Sequence, residues 1–304
     1  MTTSTSITHS RRFSPRQRRE WAWAAFFIAP SLIGFAAFVL FPVISSLGLS
    51  TLRWNLISPP NFVGIQNYAQ ILHDPFFWRV TGNTAYYTAG TVPLGVALSL
   101  ALALALKRHL PGRIFLRTAY FMPVVSSTVA VALVWRWIYN TDFGLLNVVL
   151  HWLGIPPVGW LTTTTWAMPA VILMSVWKNL GYSMVIFLAG LQAIPRTYYD
   201  AASVDGASGW QQFWRITLPL LSPTTFFVAV MSVISSFQVF GQIYMMTGGG
   251  PAYATATIVF HIYQQAFESF RMGYASAMAW VLFAVIFIFT LLQMRYQRKW
   301  VYYD

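Results

Sequence analysis

The 304-residue chain has no cysteine, which excludes disulfides, thiolate metal sites and cysteine nucleophiles. Charge is nearly as scarce. Only 9% of residues are charged, where a soluble domain carries roughly a quarter, and there are just seven acids: Glu20, Asp74, Asp142, Asp200, Asp205, Glu268 and Asp304. None lies inside a predicted membrane span. An ion-coupled carrier keeps an intramembrane carboxylate or equivalent ligand for its relay, so that class is disfavoured. His9, His73, His109, His151 and His261 form no i, i+4 pair, and no histidine metal site is expected. Neither G-x-S-x-G nor G-x-x-x-x-G-K-[ST] occurs, which removes a nucleophile elbow and P-loop binding of ATP by this chain. No catalytic residue, metal ligand or cofactor is assigned.

Apolar and aromatic residues are abundant: 57% hydrophobic, 17% aromatic, mean hydropathy +0.57. Charge-free intervals of 32, 27 and 23 residues separate Glu20 from Arg53, Arg79 from Lys107 and Arg271 from Arg295. Each accommodates a span of ~20 residues. The 18 residues between Arg117 and Arg136 suffice for another if Trp135 and Trp137 sit at an interface and Arg136 snorkels. Trp166 to Gln192 is apolar apart from Lys178 and Asn179, and one more span precedes the break at Gly248-Gly249-Gly250-Pro251. The reading is an all-α integral membrane protein with six transmembrane helices. Residues 1–20 form an N-terminal tail, 21–294 the spanning domain and 295–304 a C-terminal tail. The second span is placed at Thr88 to Leu106, a surface helix over Phe62 to Trp78, and an interfacial helix over Ile258 to Phe267. Gly248 to Pro251 reads as a flexible exit from the fifth span.

The net charge of +12 raises nucleic acid as a partner, but the placement of the charges argues against it. With the N terminus cytoplasmic, 14 of the 19 basic residues fall on the cytoplasmic side. Only Arg53, Arg79, Arg136, Lys178 and Arg271 lie elsewhere, as the positive-inside rule requires. Both termini are then cytoplasmic. No internal repeat is visible, so a transporter built from two inverted halves within one chain is disfavoured, and partner subunits are expected.

The segment between the fourth and fifth spans, from Ile194 to Pro219, carries the specific signal. Pro195 ends the fourth span. Asp200-Ala201-Ala202 is expected to open a short helix with its acid near the positive end, within about residues 198–210, and Gly206 and Gly209 to supply a turn. Small residues leave that helix low, suited to a groove on another protein. The pattern Asp200-Ala201-Ala202-x-x-Asp205-Gly206-Ala207, followed by Phe213-x-x-Ile216-x-Leu218-Pro219, resembles permease subunits of bacterial binding-protein-dependent ABC importers of the sugar class. Gly64-x-x-Asn67-Tyr68, Asn83-Thr84, Trp135-x-Trp137, Gly144-x-x-Asn147 and Thr247 to Pro251 extend the resemblance to maltose-type and glycerol-phosphate-type permeases. One departure is Asp200, where the family usually has Glu.

The resemblance implies a maltose-permease-like fold in the bacterial cell membrane and no covalent chemistry in this chain. Its implied partners are a second related permease, two ATP-binding subunits and an extracytoplasmic solute-binding protein. Asp200, Ala201, Ala202, Asp205, Gly206, Ala207 and Gly209 would couple to the ATPase. The positions of the maltose-type solute site fall on Tyr120, Val124, Ser175, Lys178, Asn179, Ser232, Ser236 and Val239. Ser175, Lys178 and Asn179 share a helix face, as do Ser232 and Ser236. Two other readings stand beside this one: serines in membrane helices commonly bond to backbone or a neighbouring helix, and Lys178 can snorkel to the outer surface. A sugar is the expected solute, with a phosphorylated polyol such as glycerol phosphate as the alternative. An ion-coupled carrier or an integral membrane transferase is the rival from another class.

Overall fold

The computed structural model describes residues 15–107, 111–297 and 301. Most of the expected N-terminal tail, together with Arg108, His109, Arg298, Lys299 and Asp304, lies outside them. The chain divides into two compact units between Leu49 and Ser50. In the first, α1 (Pro15–Phe35) runs through a wider turn at Ala36–Leu40 into α2 (Phe41–Ser50). Pro42 cannot donate to the carbonyl four residues back and crowds it. The preceding turn opens to i→i−5 bonding, with Phe41 N–H donating to Ala36 O.

The second unit begins with a two-residue antiparallel hairpin, β1 (Leu52–Arg53) on β2 (Asn61–Phe62), followed by α3 (Gln66–His73). Asn67 Nδ2 donates to Ser50 O (2.8 Å) and Leu52 O (2.9 Å), while Tyr68 OH donates to Ser50 Oγ (2.7 Å). The Gly64-x-x-Asn67-Tyr68 motif is therefore a clamp on the chain leaving α2. The surface helix expected over Phe62 to Trp78 is shorter, because α4 (Pro75–Lys107) already starts at Pro75, thirteen residues before Thr88. A proline is well placed at a helix start, where its missing N–H has no partner to lose.

The third span differs more. Instead of one helix it is a pair, α5 (Arg113–Val125) and α6 (Thr128–Ile138), bent by 102°. Ser126 is extended at the joint and Pro123 lacks the N–H that would continue the ladder. Next come α7 (Leu145–Trp152) and α8 (Thr164–Ala193). Asn147 donates to Thr141 O (3.0 Å) and Val158 O (2.9 Å) and accepts from Val158 N and Trp160 Nε1. Its motif thus folds the loop before α8.

α8 is the centre of this unit, with 61% of its most apolar stretch buried against 17% for α4. The backbones of α5 and α8 meet at Gly181, where a Cβ would lie 2.1 Å from Tyr120 O.

After α9 (Arg196–Val204) and α10 (Gly209–Gln212), a widened turn at Phe213–Thr217 and α11 (Leu218–Leu220) lead into α12 (Ser222–Phe237) across a 64° bend. α13 (Gly241–Met246), α14 (Ile258–Tyr263) and α15 (Met272–Gln297) complete the chain. Four helices long and apolar enough to cross a membrane, with each bent pair counted as one further span, make six.

The segment expected to lie in the interface is instead packed inside the protein. Ile258, Phe260 and His261 are buried, and Ile258 N–H donates to Thr84 Oγ1 (3.0 Å). Asn83 holds Tyr253 O and Ala256 O, both at 2.9 Å, and Arg79 holds Ala252 O at 2.6 Å. The glycine-rich turn expected to be a flexible exit is likewise tied in. Thr255 Oγ1 donates to Gly250 O (2.6 Å), and a Cβ on Gly249 would meet the Phe260 ring at 2.6 Å.

Candidate functional site

A cavity of about 350 Å³ opens among α4, α5, α8, α12 and α13. α4 contributes Tyr87, Thr91, Gly95 and Ser99, each four residues after the last, so that they share one helix face. α8 contributes Ser175, Asn179 and Ser183 on the same spacing, and α12 contributes Ser232, Ser235 and Ser236. The wall sets hydroxyls and amides among apolar side chains that include Val92, Val124, Ile186, Val228 and Met231, with no Asp, Glu, Lys, Arg or His. The hydroxyls and amides can both donate to and accept from a solute's hydroxyls.

Of the eight positions implied for the solute, the structure brings five to this wall: Val124, Ser175, Asn179, Ser232 and Ser236. They divide in their bonding. Ser236 Oγ donates to Val233 O (2.8 Å) and Thr88 Oγ1 (3.0 Å), the interhelical and backbone bonding typical of membrane serines. Ser232 has no such bond among the described residues and is free to meet a solute. Asn179 Nδ2 donates to Ser175 O (2.9 Å), leaving its oxygen to the cavity.

Tyr120, Lys178 and Val239 are not on the wall. Lys178 is 6% exposed and packed within α8's buried side, which also removes it from the outer surface. Val239 has a structural partner: its carbonyl accepts from Thr257 Oγ1 (3.1 Å). The α4 residues were missed in the sequence, although the hydroxyls of Tyr87, Thr91 and Ser99, with Gly95 between them, follow one four-residue register.

The coupling segment departs from expectation in detail. α9 starts at Arg196, so Asp200 lies in its middle and not at its positive end. The helix ends in a Schellman turn, with Ala207 N–H donating to Ala202 O (2.9 Å) and Gly206 N–H to Ser203 O (3.1 Å). Gly206 has φ +76°, the left-handed conformation this turn requires. Ala201 O accepts from Asp205 N–H (3.0 Å). Gly209 is not part of the turn. It opens α10, which Ser208 and Gln211 cap reciprocally.

None of α9 is buried. Val204 is 89% exposed, and Trp210 and Tyr198 also stand out from the surface. On its inner side Tyr199 packs against the buried cluster that includes Leu106, Leu191 and Ile194, and its OH lies 3.0 Å from Thr217 Oγ1.

At the opposite end of α4, Tyr274 OH donates to Asp74 Oδ2 (2.7 Å) and His261 is buried beside them. Burial alone would raise the Asp74 pKa, but the Tyr274 bond and the Phe76 and Phe77 amides hold it below the ordinary value. Burial pushes His261 below its usual range, with Asp74 opposing the shift and Arg271 adding to it.

Helices long enough to span a membrane, an uncharged cavity in which hydroxyls and amides stand among apolar side chains, and an exposed short helix bonded to the turn before one lining helix are together the features of a membrane transport subunit that works with partners. The chain belongs to the binding-protein-dependent transport system inner membrane component family, whose pattern matches residues 95–302. It is a multi-pass cell-membrane protein and a permease subunit of an ABC importer, acting with a binding protein and an ATPase. The chain is 39% identical to the probable ABC transporter permease protein YesP of Bacillus subtilis (strain 168), over 91% of each chain. It is 35% identical to the sn-glycerol-3-phosphate transport system permease protein UgpA of Agrobacterium fabrum, over 91% of this chain and 94% of that one. It also matches two solved structures, one of a bacterial ABC transporter involved in the import of the acidic polysaccharide alginate and one of a bacterial alginate ABC transporter in complex with an alginate pentasaccharide-bound periplasmic protein. Both structures give a TM-score of 0.82 at 27% and 26% identity, covering 93% of this chain and 96% of theirs.

Proposed function

We propose that this permease forms, with a second related permease, the path for a sugar or related polyhydroxylated solute, delivered by an extracytoplasmic binding protein and driven by two ATP-binding subunits. The observation that carries this is the uncharged cavity in which hydroxyls and amides of α4, α8 and α12 stand among apolar side chains, as a solute with both hydroxyls and a carbon skeleton requires. Ser232, Asn179 and Ser175 would meet the solute. The segment from Asp200 to Gly209 would rest on an ATPase subunit, so both termini would be cytoplasmic. ATPase closure would then displace α9, and the Tyr199 to Thr217 link would pass that displacement to α12, switching the cavity between the two sides.

A second reading, a phosphorylated polyol such as glycerol phosphate, has the similarity to UgpA in its favour. A phosphate in this cavity would want a cation, and Lys178 would have to turn into it. Uptake by the assembled importer in proteoliposomes separates the two. Neutral sugars competing for uptake while glycerol phosphate does not supports the first reading, and the reverse supports the second. Uptake driven by an ion gradient without ATP would contradict both.

A further inference from the structure

A second cavity, also about 350 Å³, lies at the α9 end of the bundle, and its lining includes Lys107, Arg113, Arg117 and Arg196. These cations come from the last turn of α4, the first two turns of α5 and the start of α9, so positions 89 residues apart in sequence converge on one space. No acidic side chain is among the lining residues. Four like charges around one opening repel one another, and an anion between them would relieve that repulsion.

Two of the cations are fixed from behind. Arg117 Nη2 donates to Leu106 O (2.8 Å), and Lys107 Nζ lies 4.7 Å from the centre of the Tyr199 ring. Arg117 Nε is buried and has no hydrogen-bond partner among the described residues. The cavity lies between the last turn of α4 and the first turns of α5, and next to Arg113 on α5 the side chains of Ile114 and Phe115 are exposed. A phospholipid supplies both halves, with a phosphate for the cations and acyl chains for the apolar pair.

We propose that this cavity binds the headgroup of an anionic phospholipid from the leaflet at the α9 end. Free phosphate shares the headgroup chemistry but would leave Ile114 and Phe115 uncovered. An acidic surface of a partner protein is the other candidate occupant. The placement beside Tyr199, which bonds α9 to the base of α12, would put the lipid next to the segment proposed to move. The lipid site itself does not depend on which solute is carried.

The test is native mass spectrometry of the assembled importer titrated with phosphatidylglycerol, with phosphatidylcholine, and with phosphatidylglycerol plus millimolar inorganic phosphate. Each cation near a membrane surface is worth about fivefold in affinity for an anionic lipid. The double variant Lys107→Gln, Arg196→Gln should therefore weaken phosphatidylglycerol binding by about 25-fold. Arg295→Gln, which removes a charge on α15 outside the cavity, should leave it unchanged, and Lys107→Arg with Arg196→Lys should retain it. Preference for phosphatidylglycerol over phosphatidylcholine in the unmodified complex is expected even if the double variant fails to assemble.

Four outcomes would overturn the proposal. The first is equal retention of the two lipids. The second is full displacement by inorganic phosphate, which would assign a free-anion site. The third is an Arg295→Gln effect as large as that of the double variant, which would indicate general surface charge. The last is loss of an ATPase subunit from the double variant with lipid binding intact, which would assign the cavity to a protein contact.

Discussion

The hydroxyl of Tyr199 lies 3.0 Å from Oγ1 of Thr217, joining α9 to the turn that runs into α12. Thr217 is buried, and α12 carries Ser232 and Ser236 on the cavity wall. A push on α9 therefore has a polar connection to a lining helix. Tyr199→Phe keeps the ring packing and removes one hydrogen bond, worth about 1 kcal/mol. Assembly in the membrane should persist while ATP hydrolysed per solute imported rises. Uptake and hydrolysis measured in the same proteoliposomes check this, and an unchanged ratio would count against the link.

Gly206 separates backbone strain from docking. Its φ of +76° disfavours any side chain, yet a Cβ there would meet nothing within 4 Å. Gly206→Ala should therefore cost about 1 kcal/mol, from conformation alone, and slightly weaken ATPase co-purification. Gly206→Trp adds bulk on an exposed surface and should reduce co-purification far more, with membrane insertion intact in both. Equal retention of the ATPase by both variants would remove the docking role of this turn.

Much of this was legible in the sequence. Six apolar runs, the glycine that ends α9 and the serine and asparagine faces of α8 and α12 follow from spacing and residue type. The bend at Ser126 was not, because 18 uncharged residues look alike whether the helix is straight or broken by Pro123. Nor was the burial of Ile258 to His261. Polar groups such as His261 and Gln264 suggest an interface until Asn83 and Thr84, some 170 residues earlier, are seen to bind that segment. The resemblance to maltose-type permeases implied Lys178 in the solute site, on a face shared with Ser175 and Asn179. The helix turns enough between Lys178 and Asn179 to put one inside the packing and the other on the wall.

Gly181 should be among the least replaceable residues. Ala at this position would place its Cβ 2.1 Å from Tyr120 O, so α5 and α8 must separate. Overpacking of this kind costs about 1–3 kcal/mol. Lower yield of assembled complex and a lower Tm are expected for Gly181→Ala. A normal Tm would show that the close approach of the two helices is not required.

Acid should loosen the end of the bundle formed by Asp74, His261 and Tyr274. The folded His261 pKa is depressed from 6.5, so its neutral form is favoured by folding. That stability is present above pH 6.5 and is lost as pH falls through the lower folded value. Asp74 acts with the same sign further down, its depressed carboxyl contributing above its unfolded value of 3.8 and losing that contribution below. Asp74, Glu268 and Arg271 are the charged groups near the imidazole. The Tm of the purified complex should fall between pH 7.5 and 5.5, and His261→Asn should reduce that fall. An identical pH dependence in the variant would exclude the histidine as its source.

The central claim is that α4, α8 and α12 enclose the solute path, and this chain without cysteine allows a direct measurement. Ser232→Cys, in the assembled importer, would be treated with a small water-soluble thiol reagent with and without solute, and uptake measured. The account predicts that modification abolishes uptake, that solute slows the modification, and that Lys178→Cys reacts much more slowly because it is off the wall. A Ser232→Cys that is modified freely while uptake and solute affinity stay unchanged would contradict it.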